Sequence, residues 1–208
     1  MDDLKIGILA LQGDIEENID ATSKALTYLS CKGKAMEVRY PDEIETIDGI
    51  ILPGGESTVI GNILSRNADL WRSVRRKLSN GMPALGTCAG MIIMATKAYN
   101  ISGEEMSQQL LGVFDIEVER NSFGRQIESF ETDLQINFLG EDKFRGVFIR
   151  APSVKRVGPN VKILGRLDNK IVAVQQGNMI GTSFHPELSG DNRFHTRLVQ
   201  LITDHRIN

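Results

Sequence analysis

Met82-Pro83-Ala84-Leu85-Gly86-Thr87-Cys88-Ala89-Gly90-Met91 carries an apolar run through a glycine-flanked turn into a helical pattern over residues 91–98. The apolar run, residues 82–85, reads as a buried strand. A strand that ends in G-x-nucleophile-x-G and continues as a helix is an elbow, here with cysteine in the place of serine. The turn is tight, so the neighbours Gly86 and Gly90 avoid side-chain clashes. Such a turn lifts its thiol out at the carboxyl edge of the sheet, where open α/β sheets bind ligands. The adjoining helix start favours negative charge and therefore the thiolate. The alternative is a small buried hydrophobe, the usual fate of a free cysteine. Cys31, in the polar loop Ser30-Cys31-Lys32-Gly33, has no elbow around it.

Outward from this unit the same alternation repeats. Lys5-Ile6-Gly7-Ile8-Leu9-Ala10 is a near-continuous apolar strand, as expected where both faces are buried. Asp14, with Glu17 three residues on, looks like a capping-box start for a helix to about residue 29. Residues 36–40 and 49–52 read as strands, and 57–65 and 68–78 as helices. Strands separated by helices imply a parallel sheet with right-handed crossovers. The second half differs. Residues 114–119, 130–136, 146–149, 161–164, 171–176 and 179–183 are short strand candidates, with Asn169-Lys170 and Gly177-Asn178 as hairpin turns. Residues 193–203 form an amphipathic helix. The expected fold is α/β, three layers with a mostly parallel central sheet, flanking helices and added antiparallel strands, in one domain over residues 1–208.

Composition sets outer bounds. The chain has 208 residues, 41% apolar and 25% charged, with a net charge of −3. That balance gives no electrostatic footprint for nucleic acid. The acidic start Met1-Asp2-Asp3-Leu4-Lys5 argues against a secretory signal. No apolar run approaches the roughly 18–20 residues that span a bilayer. Two cysteines are too few for a disulfide framework, which favours a reducing, cytoplasmic setting.

A nucleophilic cysteine needs a base, and there are three histidines. His195 and His205, in the last helix and the tail, are expected at the surface. His185 lies in Thr182-Ser183-Phe184-His185-Pro186-Glu187 at the end of an apolar strand. Pro186 restricts the residue before it and ends the strand. Glu187, two residues on, can share a side with His185 in extended chain. A carboxylate there fixes the imidazole tautomer and stabilises the imidazolium. A strand-terminal histidine with an incidental glutamate is the alternative. Pro53-Gly54-Gly55-Glu56-Ser57-Thr58 also follows a buried strand. A backbone N–H from Gly54-Gly55, paired with that of Ala89, would make an oxyanion hole. An ordinary turn in which Glu56 or Ser57 caps the next helix is equally open. No Gly-Lys-Ser/Thr follows for a P-loop, Gly7 and Gly13 do not form GxGxxG, and no metal-ligand spacing is present.

Gly86-x-Cys88-x-Gly90, His185-Pro186-Glu187 and Pro53-Gly54-Gly55 together resemble a class I (triad) glutamine amidotransferase. Leu11-Gln12-Gly13, residues 53–58 (PGGEST), 86–91 (GTCAGM), 119–126 (ERNSFGRQ), 147–152 (VFIRAP) and 183–188 (SFHPEL) narrow it. They resemble the glutaminase subunits of pyridoxal 5′-phosphate synthase, the PdxT/SNO family, from about residue 6 to 201. The resemblance implies that Cys88 attacks the glutamine side-chain amide, that His185 protonates departing ammonia, and that water hydrolyses a glutamyl thioester. It implies that Gly54, Gly55, Glu56, Ser57, Arg120, Ile149 and Arg150 hold L-glutamine, with Arg120 or Arg150 on its carboxylate. It also implies transfer of ammonia to a synthase (lyase) subunit in a large hetero-oligomer, no cofactor on this chain, and a thiol idle until that subunit docks. Residues 21–36 and 99–109 look longer and more polar than the family pattern. Another amidotransferase subunit would carry the same triad. An α/β-hydrolase-type cysteine hydrolase is disfavoured, because its acid precedes its histidine. A non-catalytic binding subunit is disfavoured by the complete set.

Overall fold

The computed structural model describes residues 3–124 and 129–207. Arg125 and Gln126, at the end of the ERNSFGRQ stretch, lie outside the described residues, as do Met1 and Asp2. In chain order the elements are β1 (Leu4–Leu9), α1 (Ile15–Tyr28), β2 (Gly33–Val38), α2 (Pro41–Thr46), β3 (Gly49–Leu52), α3 (Ser57–Arg66), α4 (Ala68–Ser79), β4 (Ala84–Thr87) and α5 (Ala89–Met94). They continue as β5 (Ala95–Tyr99), β6 (Phe114–Glu119), β7 (Ser129–Leu134), β8 (Phe144–Ile149), β9 (Ser153–Val157), β10 (Lys162–Leu167), β11 (Lys170–Gln176), β12 (Met179–Thr182) and α6 (Arg193–Ile207).

The main sheet runs β2-β1-β3-β4-β12-β11-β9-β6-β5, with β10 beside β11. From β2 through β12 the strands are parallel. Beyond β12 the pairing turns antiparallel through β11, β9 and β6, and β5 lies parallel to β6. β3 and β4 are buried along their whole length, the mark of central strands covered on both faces. Their side chains alternate between layers: Ile50 and Leu52 pack with Ile60, Leu64, Val74 and Leu78 of α3 and α4. Ile51 faces the other way, with Leu26 of α1 and Phe194, Leu198 and Ile202 of α6. The result is three layers, helix–sheet–helix. No helix among the described residues is long and apolar enough to cross a membrane.

Several expectations are corrected. The helix after the elbow stops at Met94 rather than residue 98, and Ala95 begins β5 beside Phe114 of β6. The carbonyls of Ile93 and Met94 accept the N–H groups of Leu111 and Val113, so the returning chain takes the place of another helical turn. β9 carried no strand expectation; it follows Pro152 and pairs with β6. Only part of the second half joins the main sheet: β7 and β8 form a separate two-stranded sheet. The β10–β11 turn is Asp168-Asn169, because Leu167 pairs with Lys170. The Gly177-Asn178 turn stands as expected. β2 ends at Val38, since Tyr40 already N-caps α2 with Glu43, a helix the sequence reading did not include.

Candidate active site

Three parallel strands deliver the predicted residues to one sheet edge. β3 leads into Gly54-Gly55-Glu56, β4 into Cys88, and β12 through Ser183-Phe184 to His185. β1 brings a fourth turn, Gln12-Gly13-Asp14, to the same edge.

Cys88 is strained. Its φ of 47° and ψ of −102° lie outside the regions that side chains ordinarily occupy, a cost of about 1–3 kcal/mol that surrounding structure must outweigh. Its N–H is held by the Thr182 carbonyl at 2.8 Å. Packing forbids larger neighbours: a Cβ on Gly90 would stand 1.8 Å from the Leu52 carbonyl oxygen, and one on Gly86 2.7 Å from Met94 Sδ. The thiol is 3.9 Å from the Ile149 carbonyl and lies against His185.

His185 is buried, its N–H bonded to the Val147 carbonyl at 2.8 Å. Glu187 Oε1 lies 3.0 Å from Nδ1, but the two side chains meet through a 3-10 turn over Pro186–Leu188 and not through the extended chain that the sequence reading expects. Thr87 Oγ1 donates to the same carboxylate at 3.4 Å. Asp14 Oδ2 lies 2.9 Å from Nδ1 as well, which the sequence reading did not anticipate. Asp14 is the N-cap residue of α1, yet its side chain makes no cap bond. It forgoes a contact usually worth about 1 kcal/mol for one to the imidazole. Burial alone would push the imidazole toward neutrality, but Asp14, Cys88 and Glu187 outweigh burial and raise its pKa well above the usual range. Hydrogen bonding to His185 holds Asp14 below the usual carboxylate range, whereas burial pushes Glu187 up.

Asp14, His185 and Glu187 place one ligand atom each within 4.8 Å of one another, a clustering that no sequence spacing announced. Both carboxylates converge on a single imidazole nitrogen at hydrogen-bond length, the geometry of a shared proton.

The glycines of the β3 turn pack between these groups. A Cβ on Gly54 would be 2.3 Å from His185 Cε1, and one on Gly13 would be 1.6 Å from the Gly54 oxygen. The Asp14 N–H donates to the Gly54 carbonyl at 3.3 Å, and the Glu56 N–H donates to Gln12 Oε1 at 2.7 Å. Because a peptide is planar and trans, the first of these bonds also sets the direction of the Gly55 N–H.

Gln12, Asp14, Gly55, Glu56, Ser57, Cys88, Ile92, Arg120, Asn121, Ile149, Arg150 and His185 enclose a cavity of about 240 Å³. That is below the ~300–1,000 Å³ of pockets for drug-sized ligands, and suits a small polar metabolite. Arg120 Nη2 donates to Glu56 Oε1 at 2.6 Å. Glu56 also N-caps α3 through the Thr58 N–H, so its capping and pocket roles coexist. Burial would raise the Glu56 carboxyl, but Thr58, Arg120 and Arg150 together hold it low. Ser57 is buried, with Oγ 3.4 Å from Gln108 Oε1. Arg150 and Asn121 both sit at the rim with positive φ, 43° and 50°.

Eight of the eleven predicted site residues line this cavity. The other three lie behind it: Gly54 under the imidazole, Glu187 beyond it, and Ala89 buried at the first turn of α5. Gln12, Asp14, Ile92 and Asn121 were not foreseen. The expectation that His195 is a surface residue is wrong. It is 0% exposed, with Nε2 3.1 Å from Asn18 Oδ1. His205 is exposed as expected, and Cys31, half-buried, lies away from the site.

Residues 8–204 match the SNO glutamine amidotransferase family. The chain is 42% identical over 200 residues to pyridoxal 5′-phosphate synthase subunit PdxT of Nitrosopumilus maritimus, covering 96% of this chain and 97% of that one. It is 48% identical over 194 residues to the subunit of the same name from Leifsonia xyli, covering 92% of each. A glutamine amidotransferase crystal structure, 42% identical, superposes with a TM-score of 0.80 over 95% of this chain and 98% of that chain. A glutamine amidotransferase from Thermotoga maritima shares the fold, with a TM-score of 0.63 at 11% identity over 100% of both chains. The chain belongs to the SNO glutamine amidotransferase family.

Proposed function

We propose that this chain hydrolyses L-glutamine to L-glutamate and ammonia and passes the ammonia to the synthase (lyase) subunit of a pyridoxal 5′-phosphate synthase. The observation that carries the reading is one cavity that brings the Cys88 elbow, the His185–Glu187 pair and the Gly54-Gly55 turn together. The PdxT name of relatives matched over nearly the whole chain supports the choice of acceptor.

The Cys88 thiol gives its proton to His185 as Sγ forms a bond to the side-chain amide carbon of glutamine. The N–H groups of Ala89 and Gly55 take the developing oxyanion. Collapse breaks the C–N bond while the His185 imidazolium gives its proton to the leaving ammonia. His185 then accepts a proton from water as the hydroxyl adds to the thioester carbon, and returns it to Sγ as the C–S bond breaks and the thiol is freed. Glutamate leaves with the added hydroxyl, so the chemistry balances and calls for no cofactor. Glu56, Ser57 and Ile149 shape the substrate end of the cavity, and Arg120 or Arg150 meets the α-carboxylate, for which a guanidinium fork is suited.

The Gly54–Gly55 peptide is oriented by the Asp14 N–H, so its direction depends on the turn before α1. A partner that docks on that turn would reorient it. The proposed glutaminase is therefore partner-dependent; the proposal places it in a large cytoplasmic hetero-oligomer, as one domain of residues 1–208. Measuring glutamine hydrolysis with and without the synthase subunit tests it. A severalfold rise on addition is expected. A rate unaffected by the synthase, with no co-purification of the two, contradicts the assignment of partner.

A further inference from the structure

Glu187 is the expected acidic partner of His185, yet the imidazole has two. Asp14 Oδ2 and Glu187 Oε1 lie 2.9 and 3.0 Å from the same Nδ1. One N–H proton cannot satisfy both in full, and the two carboxylates differ in surroundings. The Glu187 side chain is 0% exposed, and its second oxygen, Oε2, is buried with no hydrogen-bond partner among the described residues. A full negative charge there would be poorly solvated. The Asp14 side chain is 31% exposed and reaches water from the cavity wall. Charge is therefore better carried by Asp14.

Asp14 is also firmly placed. Its carbonyl accepts from Asn18 Nδ2 at 2.6 Å, and Asn18 is in turn tied to His195 Nε2 of α6 at 3.1 Å. Its N–H holds the Gly54 carbonyl. One residue thus contacts the imidazole with its side chain and the candidate oxyanion peptide with its backbone.

We propose that Asp14 is a positioning residue of this site, the ionised partner that shares the Nδ1 proton of His185 with Glu187 and holds the ring between Cys88 and the Gly54-Gly55 turn. The base then works from an Asp–His–Glu arrangement, with the charge on the water-facing aspartate. This rests on the proposed role of His185, but its test does not require turnover. The groups that face His185 are Asp14 from the α1 turn, Cys88 from the elbow and Glu187 beyond the ring. Glu56, Arg120 and Arg150 share the cavity.

The experiment is an NMR titration of the His185 imidazole in the full chain, for the parent, Asp14→Asn, Asp14→Glu and Glu187→Gln. Removing an anionic acceptor disfavours the imidazolium, so the midpoint must fall. An opposite charge at this distance shifts a titration by about 1–3 pH units. Asp14→Asn should lower the midpoint by about a unit or more, at least tenfold in proton affinity. The fall should exceed that in Glu187→Gln, and Asp14→Glu, which keeps the charge, should restore most of it. The alkaline limb of glutamine hydrolysis should move to lower pH in Asp14→Asn, with KM changed less than kcat. A midpoint in Asp14→Asn within a few tenths of the parent's overturns the proposal. So does a fall in Glu187→Gln that matches or exceeds it. If Cys88→Ala still hydrolyses glutamine, the function fails while the Asp14–His185 coupling is still read by the titration.

Discussion

The Cys88 N–H donates to the Thr182 carbonyl at 2.8 Å. That bond closes the ladder between β4 and β12 at the point where both strands leave the sheet. It fixes how far the thiol stands from the imidazole three residues beyond Thr182. The register Thr182–Thr87 continues it one step back. The proposed nucleophile and base are thus spaced by a sheet register, which is stiffer than loop-to-loop contact.

Two glycines near the site, Gly54 and Gly90, separate activity from stability. A Cβ on Gly54 meets His185 Cε1 at 2.3 Å, and one on Gly90 meets the Leu52 backbone oxygen at 1.8 Å. Gly54→Ala is expected to push the imidazole aside and lower hydrolysis by about 100-fold, the effect of a displacement near 1 Å, with little change in melting temperature. Gly90→Ala has no flexible side chain to displace and is expected to fail in folding. Parallel melting curves and glutaminase assays check the pair. A Gly54→Ala enzyme of normal rate contradicts the placement of His185.

The arginines separate by their present partners. Arg120 is paired with Glu56 at 2.6 Å, whereas Arg150 stands at the rim with φ of 43°. Arg150→Met is expected to raise KM for glutamine by about 10–100-fold, the loss of one hydrogen bond to a charged group, with kcat largely kept. Arg120→Met should disturb Glu56 as well and lower kcat too. Steady-state kinetics of both variants decide the assignment. An unchanged KM in Arg150→Met moves the carboxylate to Arg120.

His195 makes stability depend on acid. Burial lowers its pKa from 6.5 to about 4. The unfolded chain binds the proton near 6.5 and the folded chain only near 4, so protonation favours unfolding. The contribution is complete above 6.5 and is lost as pH falls toward 4. The integrated loss is about 3 kcal/mol. Urea unfolding across this window should show that extra slope in the parent and not in His195→Gln. Equal slopes contradict a neutral buried His195.

Much of the site is legible in the chain because the strand-ending motifs are local. Gly86-x-Cys88-x-Gly90 and His185-Pro186-Glu187 each place their chemistry by the turn they make. β3 and β4 announce themselves by short apolar runs, at residues 49–52 and 82–85. Asp14 is not legible in that way. An aspartate before a helix reads as a cap, and only the segment after β12, which reaches across the sheet edge past β4 and β3, brings His185 to its carboxylate. Gln12 is hidden for the same reason, since its side chain caps an amide 44 residues away. β5 reads as helix because Ala95-Thr96-Lys97-Ala98 suits either state. Pairing with β6 decides it. His195 looks polar in sequence, but Asn18 on α1, far off in the chain yet packed against α6, gives it a buried partner.

The most direct measurement is Cys88→Ala assembled with the synthase subunit, assayed with glutamine and, separately, with added ammonia. The expected result is loss of glutamine hydrolysis and of glutamine-dependent product, with synthesis from ammonia intact. Hydrolysis at the parent rate would contradict Cys88 as the nucleophile.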